Sequence, residues 1–238
     1  MNLYVVVEGR RTERRLLRRW LPYLVPEARE IQRVEDADGK TFYLVSGEGY
    51  PNYVRVVGDA ARDCARSPQA FHLVVCVDAE EVPVDIRAEQ IREAVVAALD
   101  AESSAVPYTV VVANCCIESW LLGNRRLVRR HPEDAELVAY RAHYDVVAED
   151  PELMPQREGD RNRAATHLQY LKAAFRERGM KYTKAHPGDA GERHYFDALV
   201  ERATQTQPDG TRHLRTLAGL LAVGQPLGGP ASTAASEG

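Results

Sequence analysis

The sequence has no excess of positive charge, no paired cysteine motif and no long apolar run, and each absence excludes a class of protein. Basic residues number 31 against 35 acidic ones, for a formal net charge of −4, which excludes a histone-like protein that holds nucleic acid by bulk charge. None of the four cysteines has C-x-x-C spacing, so neither a zinc ribbon nor a disulfide framework is indicated and we expect reduced, buried thiols. No apolar run matches a membrane span and the start has no signal-peptide pattern, so we expect a cytoplasmic protein without a membrane partner.

Motifs of several common enzyme classes are also missing. The chain has no P-loop G-x-x-x-x-G-K-[ST], so it does not hydrolyse ATP by that route, and no G-x-G-x-x-G for a dinucleotide. His186 and His194 lack the H-E-x-x-H spacing of a zinc protease. No serine has the flanking glycines of a nucleophile elbow, which leaves a serine hydrolase without support.

The apolar pattern of the first half predicts an α/β fold with a mostly parallel sheet, flanked by helices. An apolar content of 45% with 28% charged residues is an ordinary globular balance. Continuous β-branched runs indicate strands buried on both faces, and amphipathic segments alternate with them. Thr12 is predicted to cap the first helix. The predicted strands are 3–7, two short strands within 30–46, 71–77 and 108–113, and the helices that alternate with them include 53–66, 86–99 and 116–122.

Beyond about residue 125 the strand signal disappears and the pattern predicts helices. Residues 1–125 are therefore interpreted as the sheet-bearing domain and 126–223 as a helical extension packing on it. Residues 224–238 are rich in Gly, Ser, Ala and Pro, which predicts a disordered tail. The predicted helices of the extension are 133–147, 161–178, 190–205 and 211–222.

Acidic residues follow the predicted strands at the points where the strands end. Glu8 ends the first strand and Glu13 lies one turn into the next helix, while Asp78, Glu80 and Glu118 follow two later strands. Ligands of parallel α/β sheets bind beyond these carboxyl ends, and such oxygen donors suit Mg²⁺ or Mn²⁺. Each acid alone also has a simpler interpretation, as a helix cap, a partner of the helix dipole or part of a solvated turn.

Four segments together resemble the Toprim-fold proteins of the RloB type, relatives of the overcoming-lysogenisation-defect (OLD) nucleases. The resemblance covers residues 1–125 and, more loosely, 180–222. It departs from the family pattern at Glu80, where the family's D-x-D motif has aspartate, and the longer side chain changes the ligand geometry. The segments are VEGRRTE (7–13), DAE (78–80), CIESWLL (116–122) and KYTK (181–184).

The resemblance implies a role for each matching residue in a Toprim-like catalytic domain. Glu8 would bind metal or act as general acid/base, Asp78 and Glu80 would hold the ion, and Glu13 would complete the site or bind a second ion. Glu118 would be a further ligand or would orient a basic residue. Lys184 would stabilise the transition state, with an ordinary surface lysine as the alternative.

Six arginines lie between residues 10 and 19. Because the net charge is negative, contact with nucleic acid would need a local basic patch, and these arginines form one. Gly9, Arg10, Arg11 and Arg14 are the candidate nucleic-acid contacts, with Gly9 letting the backbone turn tightly beside the scissile phosphate. Lysine occurs at only four positions, so arginine abundance reflects compositional bias, and a solvated helix face is the alternative.

These features predict a divalent-metal-dependent nuclease acting on DNA or RNA, with Mg²⁺ or Mn²⁺ as cofactor. The family resemblance adds a role in defence against phage or mobile elements and a partner ATPase. Two alternatives stay open, a non-catalytic Toprim-like adaptor or effector subunit and a phosphatase-like or nucleotidyl-transfer enzyme acting on small phosphates. Homodimer formation also stays open.

Overall fold

Five strands form one sheet in the computed structural model, which describes residues 1–49 and 51–224. The order across the sheet places the first strand in the middle, and every neighbouring pair runs parallel. The prediction of a parallel α/β sheet flanked by helices is therefore confirmed, with the topology of a Rossmann-like fold. The strands are β1 (Asn2–Val7), β2 (Arg29–Ile31), β3 (Thr41–Ser46), β4 (Phe71–Asp78) and β5 (Tyr108–Ala113), in the order β2-β3-β1-β4-β5.

Helices connect the strands and then continue alone to the end of the described chain. Each predicted helix is confirmed, with ends that differ by a few residues. Of the predicted tail, only Gly224 lies within the described residues. None of the helices that the structure describes combines the length and apolarity needed to cross a bilayer. The helices are α1 (Thr12–Leu24), α2 (Asn52–Arg66), α3 (Val84–Ala101), α4 (Ile117–Leu121), α5 (Ala135–His143), α6 (Arg163–Glu177), α7 (Arg193–Thr204) and α8 (Arg215–Ala222).

The central strand β1 shows why the buried strands read as continuous apolar runs. Successive side chains of a strand point to opposite faces, and in this sheet both faces are covered. Leu3 and Val5 belong to the core on the α1 side, whereas Tyr4 and Val6 belong to the core on the α2 and α3 side. All four are at most 4% exposed.

The C-terminal helices share one core with the sheet. Leu199 of α7 and Leu217 and Leu220 of α8 belong to the same apolar cluster as Leu3 and Val5 of β1. Residues 126–223 therefore pack directly on one face of the sheet, while α2 and α3 cover the other.

Thr12 does not cap α1, so that prediction is wrong. The helix begins at Thr12 itself, and Arg11 at the cap position makes no side-chain capping bond. The Thr12 hydroxyl instead donates to the carbonyl oxygen of Lys184 at 3.1 Å. The hydroxyl therefore makes a tertiary hydrogen bond instead of a capping bond, and this bond links the start of α1 to the C-terminal half.

The strand order creates a crevice between the ends of β1 and β4. After β1 the chain turns towards the β2 edge, and after β4 it turns towards β5, although β1 and β4 are neighbours. Such a switch point leaves the carboxyl ends of the two strands uncovered, and ligands of parallel α/β folds bind there.

Arg202 of α7 supports the C-terminal half from inside. It is 2% exposed, and its guanidinium donates to the carbonyl oxygens of Gly123 at 3.1 Å, Val146 at 2.7 Å and Glu149 at 2.6 Å. Burial lowers the pKa of Arg202 to about 10. One buried side chain therefore satisfies carbonyl groups from two separate loops.

We expect Arg202→Met to lower the free energy of unfolding by about 3 kcal/mol, because three carbonyl groups, two of them in buried hydrogen bonds, lose their donor. Urea unfolding followed by circular dichroism measures the change. The control is Arg126→Met, since the Arg126 side chain is 77% exposed and pairs with the exposed Glu201, so its loss should change the free energy by less than about 0.5 kcal/mol. Equal unfolding midpoints for the two variants would contradict the assignment.

Candidate active site

Glu8 and Asp78 are held together at the crevice by the ends of β1 and β4. The Glu8 amide donates to the carbonyl oxygen of Cys76 at 3.1 Å, which extends the pairing of the two strands by one residue. The Asp78 amide donates to Glu8 Oε2 at 3.2 Å. The Glu8 carboxylate therefore lies across the end of the neighbouring strand, as the strand-end pattern predicts.

Glu13 joins this pair from the first turn of α1. Its carboxylate packs against Gly9, and a Cβ atom at position 9 would overlap Glu13 Oε2. Gly9 does not have a positive φ. A positive φ is therefore not the reason for glycine here, and a side chain at position 9 would have to displace the Glu13 carboxylate.

Glu118 and Lys184 come from later segments and form the floor of the site. Glu118 is 1% exposed, and its Oε1 accepts a hydrogen bond from the Tyr182 hydroxyl at 3.1 Å. Lys184 Nζ lies 3.9 Å from the same oxygen, with about half of its side chain exposed. Of the two roles that the resemblance leaves for Glu118, this geometry supports the orientation of a basic residue.

The carboxyl groups of the site raise one another's pKa values. Burial is the largest cause for Glu8, Glu13 and Asp78, and the pKa of Asp78 stands well above its usual value. Glu13, Glu118 and Glu8 add to the shift of Asp78 by repulsion. The site therefore holds more negative charge than its surroundings neutralise.

Lys184 is a cation that faces Glu13, Asp78 and Glu118. Burial lowers the pKa of Lys184, but Glu118, Glu13 and Asp78 raise it by more, so the net shift is upward. The ammonium group in turn lowers the pKa values of Glu13 and Asp78. Four sequence-predicted residues thus interact electrostatically in one place, although they come from distant parts of the chain.

Glu80 occupies the rim of the site. Its side chain is exposed, its φ is +53°, and its amide donates to the carbonyl oxygen of Cys115 at 2.7 Å. Its charge raises the pKa of Glu8, which lies nearby. Within residues 1–49 and 51–224, no three carboxylate groups have oxygens that all lie within 4.8 Å of one another. A cation here would have at most two carboxylate ligands without side-chain movement.

The arginine patch of α1 divides into two parts. Arg15, Arg18 and Arg19 bind other parts of the chain, namely the Ala185 carbonyl, Glu30 and Glu192. These three arginines are structural. Arg11 is exposed, and the remaining two line a cleft beside the acidic site.

That cleft has a volume of about 510 Å³ and opens at the end of β3. It exists because β2 is only three residues long and pairs with β3 no further than Tyr43. Arg10 and Arg14 line the cleft, and Arg10 forms an ion pair with Glu48. Arg14 Nε is buried and has no hydrogen-bond partner among the described residues.

Sequence reasoning gave no role to Tyr182, whose hydroxyl holds Glu118. The available signal was its position inside the KYTK segment, two residues before Lys184.

Comparison with protein-family models, with curated proteins and with solved structures finds no match for this chain. Chemically, the arrangement offers oxygen donors for a hard cation next to a lysine and two arginines suited to phosphate.

We expect Asp78→Asn to stabilise the protein at pH 7 when no divalent metal is present. Because the folded-state pKa of Asp78 is raised, its ionisation costs folding free energy at pH values above the unfolded pKa near 4, and costs nothing below it. The Tm should rise by at least about 2 °C at pH 7, where 1 kcal/mol corresponds to about 2–4 °C. The gain should disappear as the pH falls to about 4.

Differential scanning calorimetry in the presence of a chelator measures this difference. The matched control is Asp100→Asn, because Asp100 is exposed at the end of α3 and its change should leave the Tm in place. A Tm at pH 7 that stays equal or falls in Asp78→Asn would show that the carboxylate is not strained by its neighbours.

Proposed function

We propose that this chain is a divalent-metal-dependent nuclease with a Toprim fold of the RloB type, hydrolysing phosphodiester bonds of DNA or RNA. The observation that carries the proposal is the crowding of Glu8, Glu13 and Asp78 at the switch point of a parallel sheet, next to a cleft lined by arginines. The acid-bearing segments are also those in which the sequence resembles that family.

The donor set fits Mg²⁺ or Mn²⁺. These ions prefer oxygen ligands, and Mg²⁺ usually keeps several waters while it binds one or two carboxylates. Asp78 would hold the ion, with Glu13 and Glu80 beside it, and the bond from the Asp78 amide keeps Glu8 next to that ligand. When bound, the ion supplies activation of water and neutralisation of charge on a phosphoryl oxygen.

Glu8 is the proposed general base. Burial raises its pKa, and so do the charges of Glu80 and Glu13, which brings the carboxylate closer to the pH at which it takes a proton from water efficiently. Its backbone position is fixed by the bond to Cys76, so the group is held at the end of β1. Asp78 stays beside it as a ligand.

Lys184 is the proposed donor to the charge that develops on the phosphate. Its raised pKa keeps the ammonium protonated at neutral pH. Glu118, which Tyr182 holds by a hydrogen bond, lies 3.9 Å from Lys184 Nζ and orients it towards the crevice. Glu118 and Tyr182 are therefore positioning residues for Lys184.

Arg10 and Arg14 would seat the nucleic-acid backbone in the cleft beside the acids. Arg14 lines this cleft, and its guanidinium would donate to a phosphate oxygen there. Arg10 is paired with Glu48 at the surface, where an ion pair is weak and a phosphate can replace the carboxylate. Arg11 extends the same positive rim.

A second candidate is a non-catalytic Toprim-like adaptor in a defence complex that contains an ATPase. Two observations favour it. Lys184 already supplies a cation to the carboxylates, and Glu80 is exposed at the place where the family has an aspartate. An adaptor would keep the fold and the arginine cleft without hydrolysing a bond.

The nuclease assay uses the full chain with plasmid DNA and with single-stranded RNA, in Mg²⁺ and in Mn²⁺. We expect cleavage that Glu8→Gln and Asp78→Asn each reduce by at least about 100-fold, because one removes the base and the other an ion ligand. The control is Glu93→Gln, an exposed residue on α3, which should cleave like the parent chain.

Two outcomes would overturn parts of this proposal. Full cleavage in both site variants would remove Glu8 and Asp78 from the active site. The absence of cleavage on every substrate, together with no Mn²⁺ binding by calorimetry, would favour the adaptor.

The arginine cleft makes a separate prediction about binding. In the Asp78→Asn background without metal, Arg14→Gln should weaken binding of DNA and RNA oligonucleotides of different sequence to a similar extent. It should also lower the slope of log K against log salt concentration by about 1, as expected for one lost phosphate contact.

Fluorescence anisotropy over a series of salt concentrations measures both quantities. Arg55→Gln is the control, since Arg55 lies on α2 and pairs with Asp59. A salt slope that Arg14→Gln leaves unchanged would show that the cleft does not contact phosphate.

A further inference from the structure

A second cluster of metal-ligand side chains lies in the loop between β5 and α4. The sulfur atoms of Cys115 and Cys116 and one ring nitrogen of His167 all lie within 4.8 Å of one another. The three residues are 0%, 2% and 0% exposed. Thiolate and imidazole ligands suit Zn²⁺, whereas Mg²⁺ and Mn²⁺ prefer oxygen. This cluster is therefore chemically distinct from the acidic site.

The backbone is bent so that the two sulfurs of adjacent residues meet. In an extended chain, neighbouring side chains point to opposite faces. Cys115 instead has a φ of +73°, a left-handed conformation that costs roughly 1–2 kcal/mol for a residue other than glycine. The chain keeps a cysteine where glycine would be less strained, which points to a use for the sulfur.

The hydrogen bonds around His167 leave one contact without a proton. Ser119 Oγ lies 2.8 Å from the Asn114 carbonyl oxygen and 2.7 Å from His167 Nδ1, and His167 Nε2 lies 3.2 Å from the Met154 carbonyl oxygen. A neutral imidazole ring carries one N–H proton, and a serine hydroxyl carries one O–H proton. The serine and the neutral ring then carry two protons for three contacts.

A bound cation would remove this shortage of protons, because a metal–ligand bond needs a lone pair and not a proton. If Nε2–H donates to Met154 and the Ser119 hydroxyl donates to Asn114, the lone pair of Nδ1 is left for a metal ion. Donation from the second ring nitrogen to a carbonyl is the usual support of a metal-bound histidine. The Ser119 oxygen lies 3.9 Å from Cys116 Sγ, so the Nδ1 side of the ring is the side of the thiols.

We propose that Cys115, Cys116 and His167 form a buried structural Zn²⁺ site, with Ser119 Oγ at the fourth position. Tetrahedral zinc ligands lie about 3.3–3.8 Å apart, so the observed group closes around the ion with small side-chain movements. Binding releases the two thiol protons and changes no oxidation state. The site does not depend on the proposed nuclease activity.

The consequence would be a rigid loop next to the acidic site. The carbonyl oxygen of Cys115 accepts the amide of Glu80 at 2.7 Å, and Glu118 follows Cys116 by two residues. An ion that fixes the two cysteines therefore fixes the backbone on which both acids depend, while it remains separate from them.

The test is the metal content of the full chain after expression with added zinc and purification without chelators. We expect about one Zn²⁺ per chain and, after replacement by Co²⁺, the intense near-ultraviolet band of cobalt–thiolate bonds. Cys115→Ser and His167→Gln should each weaken Zn²⁺ binding by at least about tenfold. For the unchanged chain, a zinc chelator should lower the Tm, a readout that needs no variant to fold.

Two controls separate this site from other thiols and from the acids. Cys64→Ser removes a buried thiol on α2, and Asp78→Asn alters the acidic site, and both should keep Zn²⁺ and the cobalt band. The proposal is overturned by a chain that binds no Zn²⁺ and keeps its Tm in chelator, or by Cys115→Ser and His167→Gln variants that bind Zn²⁺ as tightly as the unchanged chain. A Cys115–Cys116 disulfide in freshly purified protein would also overturn it.

Discussion

The repulsion between carboxylates at the ends of β1 and β4 is the constraint on which the rest of the structure depends. Parallel pairing brings Glu8 beside Asp78, and α1 then adds Glu13. Each of these groups has a raised pKa, with burial as the main cause. A buried charge persists only where hydrogen bonds or opposite charges compensate for lost water, so the remainder of the chain must supply both.

The compensation comes from the C-terminal half. Lys184 faces the acids, Tyr182 holds Glu118 in place, and Thr12 bonds the backbone of Lys184. The helices that carry this segment share one apolar core with the sheet, and Arg202 secures their loops. The helical half is thus a part of the site and not an appendage to it, because without it the acids would have no lysine.

The sequence predicted the fold well because the signals for it are local. Strands buried on both faces leave continuous apolar runs, and amphipathic helices leave a period of 3.6 residues, so β1, β4, β5 and α3 could each be found from about ten residues. The acids of the site were also predictable, since carboxyl ends of parallel strands share one edge of a sheet. Local patterns failed where a distant partner decided the outcome.

One wrong prediction and two features without a local signal have the same physical origin. Thr12 has the residue type of a helix cap, but the Lys184 carbonyl takes its hydroxyl. The arginines of α1 have equal spacing and charge, yet only contacts with distant groups distinguish the paired Arg15 from Arg14, which lines the cleft. His167 lies on a helix far along the chain from Cys115 and Cys116, and no spacing motif joins them. Tertiary contacts of this kind are invisible to periodicity.

The small net charge of the chain is the sum of an acidic crevice and an arginine-lined cleft. Glu13, Asp78 and Glu118 face the ammonium group of Lys184, and the pKa of Asp78 stays raised even so, so the crevice stays acidic and favours a cation. At the start of α1, Arg10 and Arg14 line a cleft that favours anions. A phosphate in the cleft and a cation in the crevice would each lower the cost of placing the other, since each reduces the repulsion that the other meets. The net charge of −4 averages these two surfaces and therefore carries no information about either.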